Sequence, residues 1–398
     1  MAMNSIQQPQ RQSVMDVIML LMLYVVAFIS MDKEYLAITL YGILPIVFGI
    51  SIIHYKNPFH QNSYMKSLLY MYLWIGLTSV AAIYEDLAID QMKQILGVIV
   101  LCSIFANLSK NPKNIPWLYG IYIVYYISIL KFAQENLLGE ITIFEERLGG
   151  EDMNANMLAY FTFYTTIAIY VLGEFVKSGK IQIIFRVLFI ATIALSFFIA
   201  MLTASRQVLI LQLPLYIILM YIRYASKSKW QLLTMIATCG IAIWIVKDQI
   251  IELYDGSLLE ERNELSIEDD ERTLVLQEAV EYGMNNPIFG LGPGNFVKYS
   301  SLKVFTHCTY AELFANSGIL AALIFIIFVV RFILVQWKRY RRYRTRPYII
   351  FCLFGIFFAI DNFFYVFYTS LWLMGFFILV ATHSEIYHRN NIRSMSKE

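Results

Sequence analysis

The sequence has little charge. Charged residues make up only 15% of its 398 positions, whereas 59% are hydrophobic and 16% aromatic. Globular domains usually carry about 25% charged residues, so this composition excludes an ordinary soluble domain and predicts an all-α polytopic membrane protein. Because one crossing takes about 20 apolar residues, roughly a dozen crossings account for most of the chain and leave no room for a separate soluble catalytic domain.

Cysteine and histidine are scarce as well, with four and five residues. The other three cysteines fall in apolar segments, so Cys308 has no obvious disulfide partner in the polar part of the chain. The consecutive carboxylates at 268–271 lack both a calcium-loop spacing and a neighbouring histidine. We therefore predict no metal site and no cofactor, and no nucleic-acid partner.

Apolar segments predict about twelve transmembrane helices. The first is a retained span, because the polar residues before it lack the pattern of a cleavable signal peptide. The predicted spans cover residues 14–30, 35–53, 67–83, 94–108, 116–129, 157–173, 181–202, 207–222, 230–246, 318–337, 348–359 and 368–381. They divide the chain into spans one to nine at 1–246, a large outer loop at 247–317, and spans ten to twelve with a cytoplasmic tail at 318–398.

The distribution of charge orients these spans. With the amino terminus inside, most of the 31 basic residues fall on the cytoplasmic side, whereas only Asp16, Glu174, Glu385 and Glu398 of the 29 acidic residues do. Lys and Arg are retained on the cytoplasmic side of a membrane. This bias predicts that both termini are cytoplasmic and that the large loop lies on the outer face.

The large loop is the one long polar interruption of the apolar pattern. It begins with an acidic stretch, continues through a helical pattern at 271–284 and a turn-rich segment at 285–296, and ends near His307. Loops of this length are usually functional or disordered. Its aromatic content and mixed periodicity predict a folded, partly helical catalytic cap.

His307 is the one histidine that the predicted topology places on the outer face. An imidazole group there can take a proton from a hydroxyl group near neutral pH. We therefore favour a catalytic role over that of an ordinary surface histidine.

Two arginines of the outer face could bind phosphate. Arg206 follows Thr203 and Ser205 at the start of a span, where free helix N–H groups and a guanidinium fork suit an anion; an arginine that snorkels to the interface is an equal alternative. Arg272 opens the helical pattern, but its acidic neighbours could neutralise it on a solvated face. The glycine-rich residues 290–294 indicate a tight turn rather than a phosphate loop.

Taken in order, these features resemble the O-antigen polymerase and O-antigen ligase superfamily of bacterial surface-polysaccharide enzymes. The elements that carry the resemblance are Arg147-Leu148-Gly149-Gly150 with Asn154-Ala155-Asn156, Leu202-Thr203-Ala204-Ser205-Arg206, Arg272, the turn-rich residues 286–296, and His307 with Tyr310, Glu312 and Gly318. Cys308 departs from the asparagine that commonly follows the histidine, and Leu276 from a frequent aromatic residue. These departures bear on specificity more than on family.

The resemblance implies transfer of a glycan from an undecaprenyl-pyrophosphate carrier to a sugar hydroxyl group, without an essential metal, in the bacterial inner membrane. Arg206 and Arg272, with Arg147 as a third candidate, would bind the departing pyrophosphate, and His307 would act as the base. Glu312 could orient the imidazole group, bind sugar or cap the following helix. Expected partners are the lipid-linked donor, a glycan acceptor, membrane lipid, and the chain-length regulator and flippase of the same pathway.

The leading hypothesis is a lipid-linked glycan polymerase, with the ligase as its alternative. A flippase or transporter is a third class. It is disfavoured because the sequence shows no convincing repeat symmetry, and because basic residues cluster at the two faces rather than along a path through the bilayer. A structural scaffold gives no reason for an elaborate outer loop.

Overall fold

The computed structural model describes residues 12–31, 35, 37–57, 62–137, 155–175, 179–203, 211–224 and 271–395. In this part of the chain there are thirteen α-helices and no strands. The helices are α1 Val14–Ile29, α2 Leu44–Tyr55, α3 Ser63–Thr78, α4 Glu85–Leu108, α5 Ile115–Leu137, α6 Ala155–Phe175, α7 Gly179–Leu202, α8 Leu213–Tyr224, α9 Glu271–Asn285, α10 Phe296–Tyr299, α11 Thr309–Tyr343, α12 Arg346–Asp361 and α13 Leu371–Met395. A π-helical turn, Ile38–Ile43, leads into α2.

The all-α prediction is confirmed. Each predicted span overlaps a described helix except 230–246, which lies outside the described residues, and the span at 207–222 is described only from residue 211; the number of spans stays a prediction. Among the described residues, three helical segments are long and apolar enough to cross a membrane: Ile38–Tyr55, Glu85–Leu108 and Thr309–Tyr343. Val14–Ile29 and Pro214–Arg223 are shorter apolar helices.

Side-chain caps fix where some of these helices begin. Ser13 accepts a hydrogen bond from the N–H of Asp16 at 2.9 Å, and Asn62 accepts one from the N–H of Tyr64 at 2.9 Å. These bonds satisfy N–H groups that have no acceptor within the first turn of a helix. The boundaries of α1 and α3 therefore follow from local sequence.

Aromatic side chains form much of the core between α3, α11, α12 and α13. The ring of Phe377 lies 4.5 Å from that of Phe358 and 4.7 Å from that of Phe328, measured between centroids. Tilted and edge-to-face pairs of this kind add to the stabilisation from burial. Buried polar groups also join helices; for example, Asn62 on the α3 side donates to Thr382 of α13 at 3.0 Å.

The tenth predicted span requires a correction at its start. The sequence places the start at Gly318, but α11 begins at Thr309 and has a single non-helical residue at Gly318, with φ 76° and ψ 178°. Gly318 is therefore a break inside the helix, and the residues before it form a separate first segment. This segment carries the candidate site.

Candidate functional site

The candidate site is built on the first segment of α11 and on the chain that precedes it. Helix α9, predicted at 271–284, is observed at Glu271–Asn285 and packs against α11. Its buried residues Val275 and Ala279 share a small apolar cluster with Leu291, Cys308 and Ala311. These residues form an apolar core of their own, so residues 271–308 form a folded cap.

The turn after α9 is wedged against the break in α11. The N–H of Leu291 donates to the carbonyl oxygen of Ala315 at 2.8 Å, and the N–H of Ile319 donates to that of Pro287 at 2.8 Å. Gly290 has φ 67°, and a Cβ atom there would meet the backbone of α11 at 2.5 Å. Only glycine combines this left-handed backbone with so close an approach. The glycine-rich segment is thus a packing turn, as predicted.

Two side chains fasten the turn to α3 and to the start of α4. The indole N–H of Trp74 donates to the carbonyl oxygen of Ser317 at 3.0 Å, and its ring stacks on Phe289 with centroids 5.9 Å apart. Asn295 accepts from the N–H of Tyr84 at 2.8 Å and donates to its carbonyl oxygen at 3.2 Å. The cap is therefore held by the helical bundle as well as by its own core.

Glu312 lies at the centre of a buried hydrogen-bond chain. One carboxylate oxygen accepts the N–H of Thr306 at 2.8 Å, and the other accepts the side-chain amide of Asn316 at 2.7 Å. The amide oxygen of Asn316 accepts the N–H of Phe296 at 2.8 Å. Glu312 is only 3% exposed. These bonds hold the loop that carries His307, and the assignment of Glu312 to catalysis stays a prediction.

His307 adopts a left-handed backbone conformation, with φ 55°. Residues other than glycine rarely adopt this conformation, and they keep it where the surroundings enforce it, often at functional sites. On one side Thr306 is bonded to Glu312; on the other the N–H of Thr309 donates to the carbonyl oxygen of Asn362 at 2.8 Å. The half-buried His307 ring lies 4.2 Å from the ring of Phe305. The imidazole group is thus carried by a fixed, strained loop.

The linker between α12 and α13, residues 362–370, bonds to the start of α11. The hydroxyl group of Thr309 donates to the carbonyl oxygen of Tyr365 and accepts the N–H of Phe367, each at 2.9 Å. The hydroxyl group of Tyr310 donates to the carbonyl oxygen of Ala359 at 2.8 Å. The first turn of α11 is therefore held by hydrogen bonds to α12 and to the linker.

Cys308 is a free cysteine and only 4% exposed. Burial raises the pKa of its thiol group, so the group stays protonated and is a poor nucleophile at neutral pH. Among the described residues, no three His, Cys, Asp or Glu side chains are grouped as metal ligands would be.

The predicted site residues have different outcomes. His307 and Glu312 lie on one loop-and-helix unit, and Arg272 is the second residue of α9, one turn from Val275 in the cluster that contains Cys308. Arg147 and Arg206 lie outside the described residues. Their roles stay predictions.

The sequence analysis assigns no role to three residues that hold the cap together. Asn316 bonds to Glu312, whereas Trp74 and Asn295 hold the turn after α9 against the helical bundle. The spacing of Glu312 and Asn316, four residues apart at the start of a helix, was a detectable signal. The contacts of Trp74 with Ser317 and Phe289 join residues more than 200 positions apart, so no local pattern could indicate them.

The fold and the site define a helical membrane protein with a structured cap on the start of one of its long helices. Residues 191–326 match the family model described as O-antigen ligase. This match confirms the resemblance to the O-antigen polymerase and ligase superfamily and spans α9, the glycine turn, His307 and the first half of α11. A search of the curated proteins found no match.

Proposed function

We propose that this protein polymerises undecaprenyl-pyrophosphate-linked repeat units into a surface polysaccharide. The observation that carries the proposal is the strained His307 loop, which is fixed from both sides and lies in the segment that matches the O-antigen ligase family. A fixed imidazole group at a folded cap suits proton transfer, which requires a base within hydrogen-bond reach of the hydroxyl group. The protein would be a multi-pass protein of the bacterial inner membrane.

In the proposed reaction, a hydroxyl oxygen of the acceptor sugar attacks the anomeric carbon of the donor. His307 takes the hydroxyl proton as the new bond between carbon and oxygen forms. The bond from the anomeric carbon to the pyrophosphate breaks, and the pyrophosphate leaves with the electron pair. Attack from the opposite side inverts the anomeric centre. Arg272, with Arg206 and Arg147, would stabilise the charge that builds on the leaving group.

The alternative is a ligase, which shares this chemistry and uses lipid A core as its acceptor. The description of the matched family favours it. The excess of acidic residues in the outer segments favours the polymerase, because a bulky anionic glycolipid acceptor should be met by basic charge. Because a polymerase and a ligase share the donor chemistry, the residues near the pyrophosphate do not distinguish one enzyme from the other.

Deletion of the gene separates the two functions. Surface glycans and the undecaprenyl-linked pool would be compared between the deletion strain and a complemented strain. A polymerase predicts single repeat units and no long chains in either fraction. Full-length chains that accumulate on the lipid carrier would reject the polymerase and establish the ligase.

A further inference from the structure

One face of α9 exposes an apolar stripe. Leu276, Val280 and Met284 follow one another at intervals of four residues and are 39%, 45% and 68% exposed; Ile288, 60% exposed, extends the series into the turn. Residues four apart lie above one another on a helix. We call these four residues the α9 stripe.

The stripe lies between the buried face and the polar face of the helix. Val275 and Ala279 are buried against α11, whereas Glu281 and Asn285, on the other side of the stripe, are exposed. The helix thus presents a protein-facing strip, an exposed apolar strip and a polar strip side by side. The stripe is therefore an apolar surface that α11 leaves exposed.

The apolar surface continues from the stripe onto α11. Pro287, next to Ile288, accepts the N–H of Ile319 at 2.8 Å, and this bond joins the turn to the second segment of α11. Exposed Ile319, Leu323 and Ile327 then follow at four-residue intervals along a helix long enough to cross the membrane. The apolar surface thus runs from the cap into the spanning part of α11.

A cationic side chain lies next to the other end of the stripe. Arg272 precedes Leu276 by four residues and so lies on the same side of α9. From Leu276 to Met284 the helix rises about 12 Å, at about 1.5 Å per residue. A guanidinium group followed by a narrow apolar track matches an amphiphile with an anionic head and one long hydrocarbon chain.

We propose that the α9 stripe binds the head-proximal part of the polyprenyl chain of the lipid-linked donor, with the diphosphate at Arg272. This inference rests on the proposed function for the identity of the donor. The stripe is one side chain wide and lies between the face packed on α11 and the exposed polar residues Gln277 and Glu281, which fits a single chain better than the paired chains of a phospholipid. A chain bound along the stripe places the diphosphate at the first turn of α9. That end of α9 contributes Val275 to the apolar cluster that also contains Cys308, the neighbour of His307.

The test measures binding rather than turnover. Purified full-length protein in nanodiscs is titrated with labelled undecaprenyl diphosphate that carries no glycan. The stripe variant combines Leu276→Gln, Val280→Gln and Met284→Gln, since glutamine keeps a good helix propensity. The matched control is Leu274→Gln, because Leu274 is 47% exposed on the far side of the same helix. Thermal unfolding of each variant checks that the cap remains folded.

The stripe variant is expected to bind undecaprenyl diphosphate roughly tenfold or more weakly, because several methylene groups lose their apolar contact. Leu274→Gln should bind like the wild type. A two-isoprene diphosphate, too short to follow the stripe, should lose affinity in Arg272→Ala and keep it in the stripe variant. Equal affinity of the wild type and the stripe variant for the long lipid would overturn the proposal.

Competition separates the donor from ordinary bilayer lipid. Excess phosphatidylglycerol should fail to displace undecaprenyl diphosphate; displacement at comparable concentration would make the stripe a general lipid contact and reject the proposal. Binding along the stripe without any glycan transfer by the wild type would refute the proposed function and leave the binding site standing. Normal transfer by the stripe variant at limiting donor would reject the binding site alone.

Discussion

At the scale of single residues, His307 combines a reactive group with an unfavourable backbone. Its left-handed conformation costs free energy, yet bonded neighbours at Thr306 and Thr309 hold it. The sequence could single out His307 because its type and its place in the loop are local properties. It could not indicate the strain, because the bonds that enforce it come from Glu312 and from the linker after α12.

We expect His307→Asn to lower glycan transfer by roughly 10² to 10⁴, the usual contribution of a positioned general base. Asparagine tolerates a left-handed backbone better than most residues, so the loop should keep its shape and the thermal unfolding temperature should stay close to that of the wild type. Purified protein would be assayed with a lipid-linked donor. Activity within a factor of a few of the wild type would return His307 to a structural role.

At the scale of structural elements, the cap depends on paired polar side chains. In Glu312→Gln, one carboxylate acceptor becomes an amide donor that faces either the amide of Asn316 or the N–H of Thr306. An unsatisfied buried pair of this kind costs about 1–3 kcal/mol. We therefore expect a lower thermal unfolding temperature together with lower transfer activity.

The double variant Glu312→Gln with Asn316→Asp should recover most of that loss. The new glutamine can donate to the new carboxylate and accept from Thr306, and the aspartate can still accept the N–H of Phe296. A double-mutant cycle on unfolding and on transfer measures the coupling. If the double variant loses as much stability and activity as the two single variants combined, Glu312 and Asn316 do not act as a pair that holds the His307 loop.

A substitution at Gly318 tests how closely the cap packs against α11. A Cβ atom there would lie 2.0 Å from the carbonyl oxygen of Ile288, and the backbone has φ 76°. Gly318→Ala should therefore destabilise the protein measurably in thermal unfolding and displace the turn. Gly49→Ala is the matched control: this glycine lies inside α2 with no atom within 4 Å of the added group, so a neutral or slightly stabilising effect is expected. Equal unfolding temperatures of the two variants would contradict the close packing of the turn against Gly318.

Most helices could be predicted because apolar runs set their existence and approximate extent. The tenth span shows why boundaries fail: Gly318 looked like the start of a helix, whereas tertiary contacts with the turn at 287–291 extend helical structure back to Thr309. The helix at 271–284 could be predicted from its own pattern. Its docking on α11 through Val275 and Ala279 depends on residues far along the chain.

At the scale of the whole molecule, α11 is long and apolar enough to cross a membrane. From Ile319 to Trp337 it rises about 27 Å, close to the thickness of the hydrocarbon core. The cap lies before this stretch, and exposed Lys338, Arg341 and Arg342 follow it. If α11 spans the membrane, its basic end and the cap must lie on opposite sides, and the retention of basic residues in the cytoplasm then places the cap outside.

Reporter fusions test this orientation directly. A reporter placed after Ser266 should behave as an outer-face fusion, active as periplasmic alkaline phosphatase and inactive as cytoplasmic β-galactosidase. A fusion at Lys397 should give the reverse pattern, because the basic end of α11 and the segments that follow it favour a cytoplasmic tail. Neutralising Lys338, Arg341 and Arg342 together should weaken this preference, whereas neutralising Lys298 and Lys303 in the cap should leave it unchanged. A reversed pair of reporters would place His307 in the cytoplasm, away from any outer-face donor, and would exclude the proposed reaction at this site.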